Sequence, residues 1–516
     1  MEHLSGVQKL VFYSGMISLL VSIYANFTHR EKWSVVFLLF FGLCFNSFVA
    51  SLDPFLNIWD ERFHALVAKN LMNHPLKPTL YDIPIADVPY NHWDSYHIWL
   101  HKQPLFLWQI ALSFKVFGIS EFSLRIPNII MGTMLIYAAY RSGKLTVNSR
   151  VGYLSGLLVS SCYFILNLLS GRQAVDHSDF SFLVYVSLSV WAFIEHLHSG
   201  KKIWWILIGV FSGFAILCKW LIGFLVYFVW FVYNLQTGDY KRFITRKMIY
   251  AGLFTLAIAL PWQILIFSWY PGEAKQTYLY NMRHFSETLD GQGGEPFYHF
   301  MMFDTIYGSL SSFFVLLGMF FMIRRSADRK LALALFSMIA LIYGLFSNVA
   351  TQMPAYTVIV AMPVFIGFAS LLDKAGEYLL NLNLDIFLKR LLFLFVIGGF
   401  ILFRFDFKSM KDHHFSRGNP DSYSSMLVHN REIFKSLNLP PNTAIFNVRG
   451  HHYIEAMFYT GLPAYHIIPD QAIFEALKQK NWRVALFRPE NGEIPEWLLN
   501  DPSTILIDKQ LQGYHD

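Results

Sequence analysis

Charge is what this sequence has least of. Only 15% of its 516 residues are Asp, Glu, Lys or Arg, against about 25% in ordinary soluble domains. Alongside that shortage, 54% of the chain is hydrophobic and 50 residues are Phe. One soluble core has no use for so much apolar surface, so a wholly soluble fold is excluded. Cysteine is scarce too. Cys44, Cys162 and Cys218 all lie in or beside apolar runs, which excludes a disulfide framework and a zinc-type spacing. There is no phosphate-cradling glycine loop and no ATPase motif, so nucleotide hydrolysis is not expected to drive this protein. Internal repeats and low-complexity segments are absent. The N-terminal apolar run, 11–25, has no basic region before it and no small-residue cleavage site, and it reads as a retained helix.

What is present is long apolar runs. Runs of roughly the 20 residues that a span needs centre near residues 17, 43, 136, 160, 188, 210, 228, 258, 314, 339, 363 and 397. They predict a membrane all-α bundle of about twelve spans. The formal charge of +6 says nothing of nucleic acid, because in such a protein the placement of Lys and Arg matters more than their sum. Arg30, Lys32, Arg141, Lys144, Arg150, Lys201, Lys202, Lys241, Arg242, Arg246, Lys247, Arg324, Arg325, Arg329, Lys330, Lys374, Lys389 and Arg390 fall in alternate loops. The intervening short loops hold little more than Arg172, Lys219, Lys275 and Arg283. The basic set is expected to face the cytoplasm, as in a multi-pass protein of the plasma (inner) membrane. The loop 53–125, the loop 268–303 and the C-terminal tail then face outward.

Two domains are expected, 1–404 in the membrane and 405–516 outside it. Within the first, the loop 53–125 is the one long polar interval of the first half. Phe63, Leu66, Val67 and Leu71 recur at helical spacing and predict a helix over 60–72. Pro104 suits a first helical turn and Gly118 a C-terminal cap, which predicts a second helix over 104–117 lying in the membrane interface. Beyond residue 405 charge rises. Short apolar stretches at 444–448, 464–468, 484–487 and 504–507 read as strands, with helical patterns at 452–459 and 470–479 between the first three. That rhythm predicts a small α/β domain.

The candidate chemistry concentrates in the outer loops. Asp60 and Glu61 open the first predicted helix. They serve either as its cap and first-turn acid, or one of them is a general base or metal ligand. Adjacent helical residues point about 100° apart, so the two do not share one task. Asp176 lies in a short turn between spans, after Arg172, and is either solvated or functional. Lys102 either snorkels to lipid headgroups or neutralises a lipid phosphate, and Lys219 interrupts two apolar runs at what reads as a hairpin tip. His92, His97 and His101 cluster with Asp94 in a spacing that resembles no closed metal site.

The run Asp60-Glu61-Arg62-Phe63-His64-Ala65, followed by Ala68 and Met72, stands with Lys102-Gln103-Pro104-Leu105, Trp108, Phe117-Gly118, Glu121 and Arg125-Ile126-Pro127. Together they resemble the first outer loop of the polyprenyl-phosphate-sugar glycosyltransferases of GT-C type, the family of the protein O-mannosyltransferases and the lipid A aminoarabinose transferase. Arg172 and Asp176 resemble that family's second outer loop. Phe346-Ser347-Asn348, Gln352-Met353-Pro354-Ala355-Tyr356 and Pro363 resemble a later segment. These motifs span about a quarter of the chain. Two departures stand out. Gln103 occupies the middle of the family's Lys-Pro-Pro, and Gln352 replaces a family lysine, which removes a candidate phosphate-binding charge.

The resemblance implies a GT-C-type bundle that takes a sugar from a polyprenyl-phosphate donor to an acceptor hydroxyl or phosphate on lipid, glycan or protein. Transfer is expected on the outer face with inversion. The catalytic candidates are Asp60, Glu61 and Asp176. Arg62, Lys102, Arg125, Arg172, Lys219 and Tyr356 are candidate substrate contacts. Asp60 and Asp176 are the candidate ligands of a divalent cation (magnesium, manganese or zinc), and no nucleotide is expected. The rival class is a transporter or flippase of a lipid-linked glycan, which more often carries polar residues in mid-span.

Overall fold

A computed structural model of the chain describes residues 4–85, 93, 96–174, 176–238, 243–414, 422–489 and 494–513. It resolves into two compact units. One comprises Met1–Ser51, Lys102–Phe106 and Arg125–Asp406, the other Leu52–His101, Leu107–Leu124 and Phe407–Asp516. The loop expected at 53–125 is thus for the most part in one unit with the C-terminal segment.

The first unit is helical. Among the described residues of the chain, nine helices are long and apolar enough to cross a membrane, or up to eleven if each of two bent pairs is one span. The protein is a multi-pass membrane protein. The expected spans near 210 and 228 are the helices Lys202–Lys219 and Leu225–Leu235, and the tight turn Trp220–Phe224 folds the chain back between them, so that Ser212 Oγ donates to the Gly223 carbonyl at 2.7 Å. The break falls where Trp220 takes φ +68, a backbone state that a helix does not hold. The sharper of the bent pairs turns by 86° between Tyr298–Tyr307 and Ser311–Arg325. Gly308, at φ +91, stands at that corner, where only a residue without Cβ is unstrained. Helices Ser311–Arg325 and Ala361–Leu380 then meet at Gly318 and Gly367. A Cβ on Gly318 would lie 2.8 Å from the Gly367 carbonyl carbon, so the two backbones touch directly.

The second unit holds a three-stranded parallel sheet, β1 (Thr443–Phe446), β2 (Arg483–Phe487) and β3 (Thr504–Ile507), in the order β1-β2-β3. Strand β1 is buried along its whole length, as the apolar run Ala444-Ile445-Phe446 requires. The segment expected as a strand at 464–468 runs beside β1, bridged from Ala464 to Ile445 and joined by the bonds Tyr465 N–H to Ile445 O at 2.8 Å and Asn447 N–H to Ile467 O at 2.9 Å, without becoming a regular fourth strand. Pro463 and Pro469 bracket it and have no N–H to extend a ladder. Helices Tyr423–Lys435, Tyr453–Thr460 and Gln471–Gln479 complete this part. Ser422 and Asp470 cap two of them from their side chains, and Gly461 closes the third at φ +72.

The two outer-loop helices form where expected, at Asp60–Leu71 and Leu105–Phe117. The first is wrapped on nearly every side, since every residue from Asp60 to Ala68 is buried. The second ends at Gly118, φ +81. It buries Phe106, Leu107, Ile110 and Phe114 while leaving Leu112, Val116 and Phe117 exposed, the division of an interfacial helix.

Candidate active site

In the second unit the site starts at Trp59, which holds φ +68 and ψ −122 and gives the helix behind it no side-chain cap. Asp60 is therefore the first helical residue and not the cap. Its carboxylate is nearly buried, at 7% exposure, and His64 Nε2 lies 4.0 Å from its Oδ1 one turn further on. Glu61 turns back on the loop. Its Oε2 accepts the Asn57 backbone N–H at 2.6 Å and the Asn57 amide at 3.1 Å, so this carboxylate is engaged in closing the helix entry. Arg62 is 1% exposed and pairs with Glu455 at 3.8 Å. Further along, Lys69 donates to the carbonyl oxygens of Phe458 at 2.7 Å and Met457 at 3.4 Å. Burial pulls its ammonium below the usual lysine range. His92 and Asp94 lie outside the described residues.

The first unit gathers the remaining candidates. Asp176 opens helix Asp176–Ser199 and is fully buried, its Oδ1 accepting the His177 backbone N–H. One turn on, Asp179 forms an ion pair with Lys219. Lys219 is the last residue of its helix, at the tip where the chain turns back on itself as expected, and its Nζ lies 4.4 Å over the Tyr356 ring. Asp179 was missed in the sequence. The signal was there in Asp176-x-x-Asp179, a spacing that puts both acids on one helical face.

His284 was missed as well. It follows helix Pro271–Arg283. Desolvation first, then the positive fields of Lys102, Lys219 and Arg283, hold its pKa down to about 4, so Lys102 and Lys219 share its electrostatic neighbourhood. The segment around it is knitted to the one before Tyr356. Thr351 donates its N–H to His284 at 3.0 Å, and Gln352 does so to Gln292 at 2.9 Å. Gln103, the departure from Lys-Pro-Pro, accepts from the Gln263 amide at 2.8 Å.

The two other arginines support backbone. Arg125, fully buried, donates to the Ala50 carbonyl at 2.9 Å. Arg172 donates to Val49 O at 3.2 Å and Asn167 Oδ1 at 3.3 Å. Among the described residues no group of three or more His, Cys, Asp or Glu is disposed to hold a metal. Asp60 lies in the second unit and Asp176 in the first.

The second unit thus presents a buried acid on an enclosed helix, and the first presents Lys219 at a helix end beside Asp179. Comparison with known proteins places the fold. Residues 101–265 match the family model described as dolichyl-phosphate-mannose-protein mannosyltransferase. ArnT from Cupriavidus metallidurans, in a crystal structure bound to undecaprenyl phosphate, is 15% identical with a TM-score of 0.59, and 88% of each chain is covered. The oligosaccharyltransferase AglB from Archaeoglobus fulgidus, in complex with an inhibitory peptide and a dolichol-phosphate, is 13% identical with a TM-score of 0.53 over 88% of this chain and 69% of that one. The fold is that of the GT-C glycosyltransferases, and the resemblance drawn from the outer-loop motifs is borne out. A protein of Aquifex aeolicus (strain VF5) described as uncharacterized is 25% identical over 334 residues, 62% of this chain. The matched stretch spans 59% of that relative's length.

Proposed function

We propose that this protein is a glycosyltransferase that moves a sugar from a polyprenyl-phosphate carrier to an acceptor hydroxyl or phosphate of a lipid, glycan or protein. The observation that carries this reading is Lys219, ion-paired with Asp179 and 4.4 Å over the Tyr356 ring, with Lys102 contributing beside it to the positive surroundings of His284, within a chain of GT-C fold. Both lysines lie in the segment that matches a family described by its lipid-phosphate-sugar donor.

A sugar on a lipid phosphate already has its leaving group, so no nucleotide is required. As the anomeric C–O bond breaks, negative charge grows on the phosphate, and the ammonium groups of Lys102 and Lys219 offset it. The Asp179 carboxylate and the Tyr356 ring keep Lys219 charged and aimed. His284, held neutral, adds no competing charge. Asp60 takes the proton from the acceptor oxygen as that oxygen attacks the anomeric carbon. A direct displacement of this kind inverts the anomeric centre. Asp176 orients the acceptor. The alternation of Lys and Arg among the loops supports an outward-facing Asp60 helix and C-terminal segment in the plasma (inner) membrane.

The test is transfer by the detergent-solubilised full-length protein. Radiolabelled polyprenyl-phosphate mannose and polyprenyl-phosphate aminoarabinose are each supplied with an envelope extract. Label passes from the carrier to the extract in the native protein and stays on the carrier in Asp60→Asn. If no label leaves either carrier, while the reconstituted protein moves the carriers between leaflets, the protein is a flippase and the reading is overturned.

A further inference from the structure

The catalytic reading uses Asp60 but does not account for the charges buried behind it. On a helix, residues two apart point about 200° from each other, so Arg62 lies on the face opposite Asp60. There it meets Glu455, on helix Tyr453–Thr460, at 3.8 Å, with both side chains almost wholly buried. Neither Arg62 Nε nor Glu455 Oε1 has a hydrogen-bond partner among the described residues. Each charge therefore depends on the other for compensation.

Glu455 is itself held by a relay. Its Oε2 receives the His452 Nδ1 proton at 2.6 Å. Asn430 donates to His452 Nε2 at 3.3 Å, which fixes that tautomer. Asn430 in turn exchanges two hydrogen bonds with the Gln512 backbone, at 2.8 and 2.9 Å. Four buried side chains thus connect the backbone at residue 512 to the Asp60 helix.

The loop that enters the helix is held from the same segment. The Tyr423 hydroxyl accepts the Ile58 N–H at 2.7 Å, and the Tyr459 hydroxyl accepts the Leu56 N–H at 3.4 Å. Phe55 packs with Met426 and Leu427. Trp59, between these anchors and Asp60, keeps a left-handed backbone that persists only where its surroundings over-determine it.

We propose that Glu455 is a positioning residue for Asp60. By compensating Arg62 it holds the back of the helix, so that the C-terminal segment sets the direction of the carboxylate at its front. The proposal rests on the reading of Asp60 as the base. It also assigns Arg62 an inward structural task.

Glu455→Gln tests it, because glutamine can still accept from His452 while losing the charge that Arg62 needs. Two measurements are made on the full-length protein. Amide hydrogen exchange over 56–66 is expected to quicken about tenfold, with β1 and β2 unchanged. Turnover is expected to fall roughly 10- to 100-fold with the donor KM within about twofold, since an ångström of misplacement costs on the order of 100-fold. The double variant Arg62→Gln/Glu455→Gln should be no slower than Arg62→Gln alone, because both act along one path. Tyr423→Phe, which removes only the hydroxyl that holds Ile58, should loosen the same residues and serves if Glu455→Gln does not fold.

Unchanged exchange over 56–66 would overturn the brace, and so would loosening that spreads to the strands. Loosened exchange with native turnover would overturn the catalytic role, and additive losses in the double variant would overturn the route through Arg62. If the native protein transfers no sugar, the proposed function fails, and the exchange measurements still decide whether Glu455 holds the helix.

Discussion

Replacing Asp60 by Asn separates its chemistry from its structural place. Asparagine keeps the size and one acceptor oxygen and removes the charge. Because Asp60 is the first helical residue and no side chain caps the helix before it, what asparagine gives up at the helix end is the charge of an acid at its N-terminus, one turn from His64. That is worth about 0.3–1 kcal/mol, a shift of a few degrees in melting temperature. A lost general base instead costs about 10²–10⁴ in rate, which is about 2.7–5.4 kcal/mol at 1.36 kcal/mol per decade. The two outcomes differ by at least a decade in turnover at nearly equal stability. The assay is initial transfer of radiolabel at saturating donor, normalised to folded protein by a detergent melting curve. Glu61→Gln provides the opposite signature. Its carboxylate accepts two hydrogen bonds from Asn57, so removing the charge costs about 1 kcal/mol of stability with little change in rate per folded molecule. A folded Asp60→Asn protein that turns over within about threefold of the native rate would refute the assignment of Asp60 as base.

Lys219→Met removes the partner of a buried Asp179. It is expected to raise the donor KM at least tenfold and to lower stability, and adding Asp179→Asn should restore stability but not KM. His284, with its pKa depressed from 6.5 to about 4, favours folding only when neutral. Stability should be flat above about pH 6.5 and fall as pH drops toward 4, and His284→Asn should flatten the melting temperatures measured across that range. Tyr459→Phe loses a hydroxyl that donates to Glu121 at 3.0 Å and accepts from Leu56. It should destabilise by about 1–2 kcal/mol in a denaturant titration. A cysteine placed at Gly450, which is exposed, should react with a membrane-impermeant maleimide in intact spheroplasts, and protection there would reverse the proposed orientation.

Much of the local structure was legible because local rules govern it. The helices at Asp60–Leu71 and Leu105–Phe117 follow from apolar spacing and from Pro104 and Gly118. Strands β1, β2 and β3 follow from short β-branched and aromatic runs. The segment 464–468 does lie along β1 as expected, but Pro463 and Pro469 have no N–H to extend its ladder, so it stays an irregular edge. The reversal at Lys219 was legible from the two apolar runs it separates, whereas the positive φ of Trp220 that makes the turn was not. The pairings of Lys219 with Asp179 and of Arg62 with Glu455 were not legible at all. They join residues far apart in the chain, and no periodicity in a single sequence encodes a partner at that distance. The consequence is largest at Arg62, where residue type suggested a phosphate contact and burial turns the charge inward.

The bond from Lys69 to the Phe458 carbonyl closes a gap of 389 residues. Synthesis at about 5–20 residues per second puts roughly 20–80 s between the emergence of its two ends. Throughout that interval the Asp60 segment lacks the tyrosines, the glutamate and the apolar side chains that will enclose it. A ribosome stalled before residue 458 therefore leaves a membrane protein whose spans can insert but whose Asp60 carboxylate has no fixed direction. Enclosure of the Asp60 helix is in this way gated by completion of the chain's own translation.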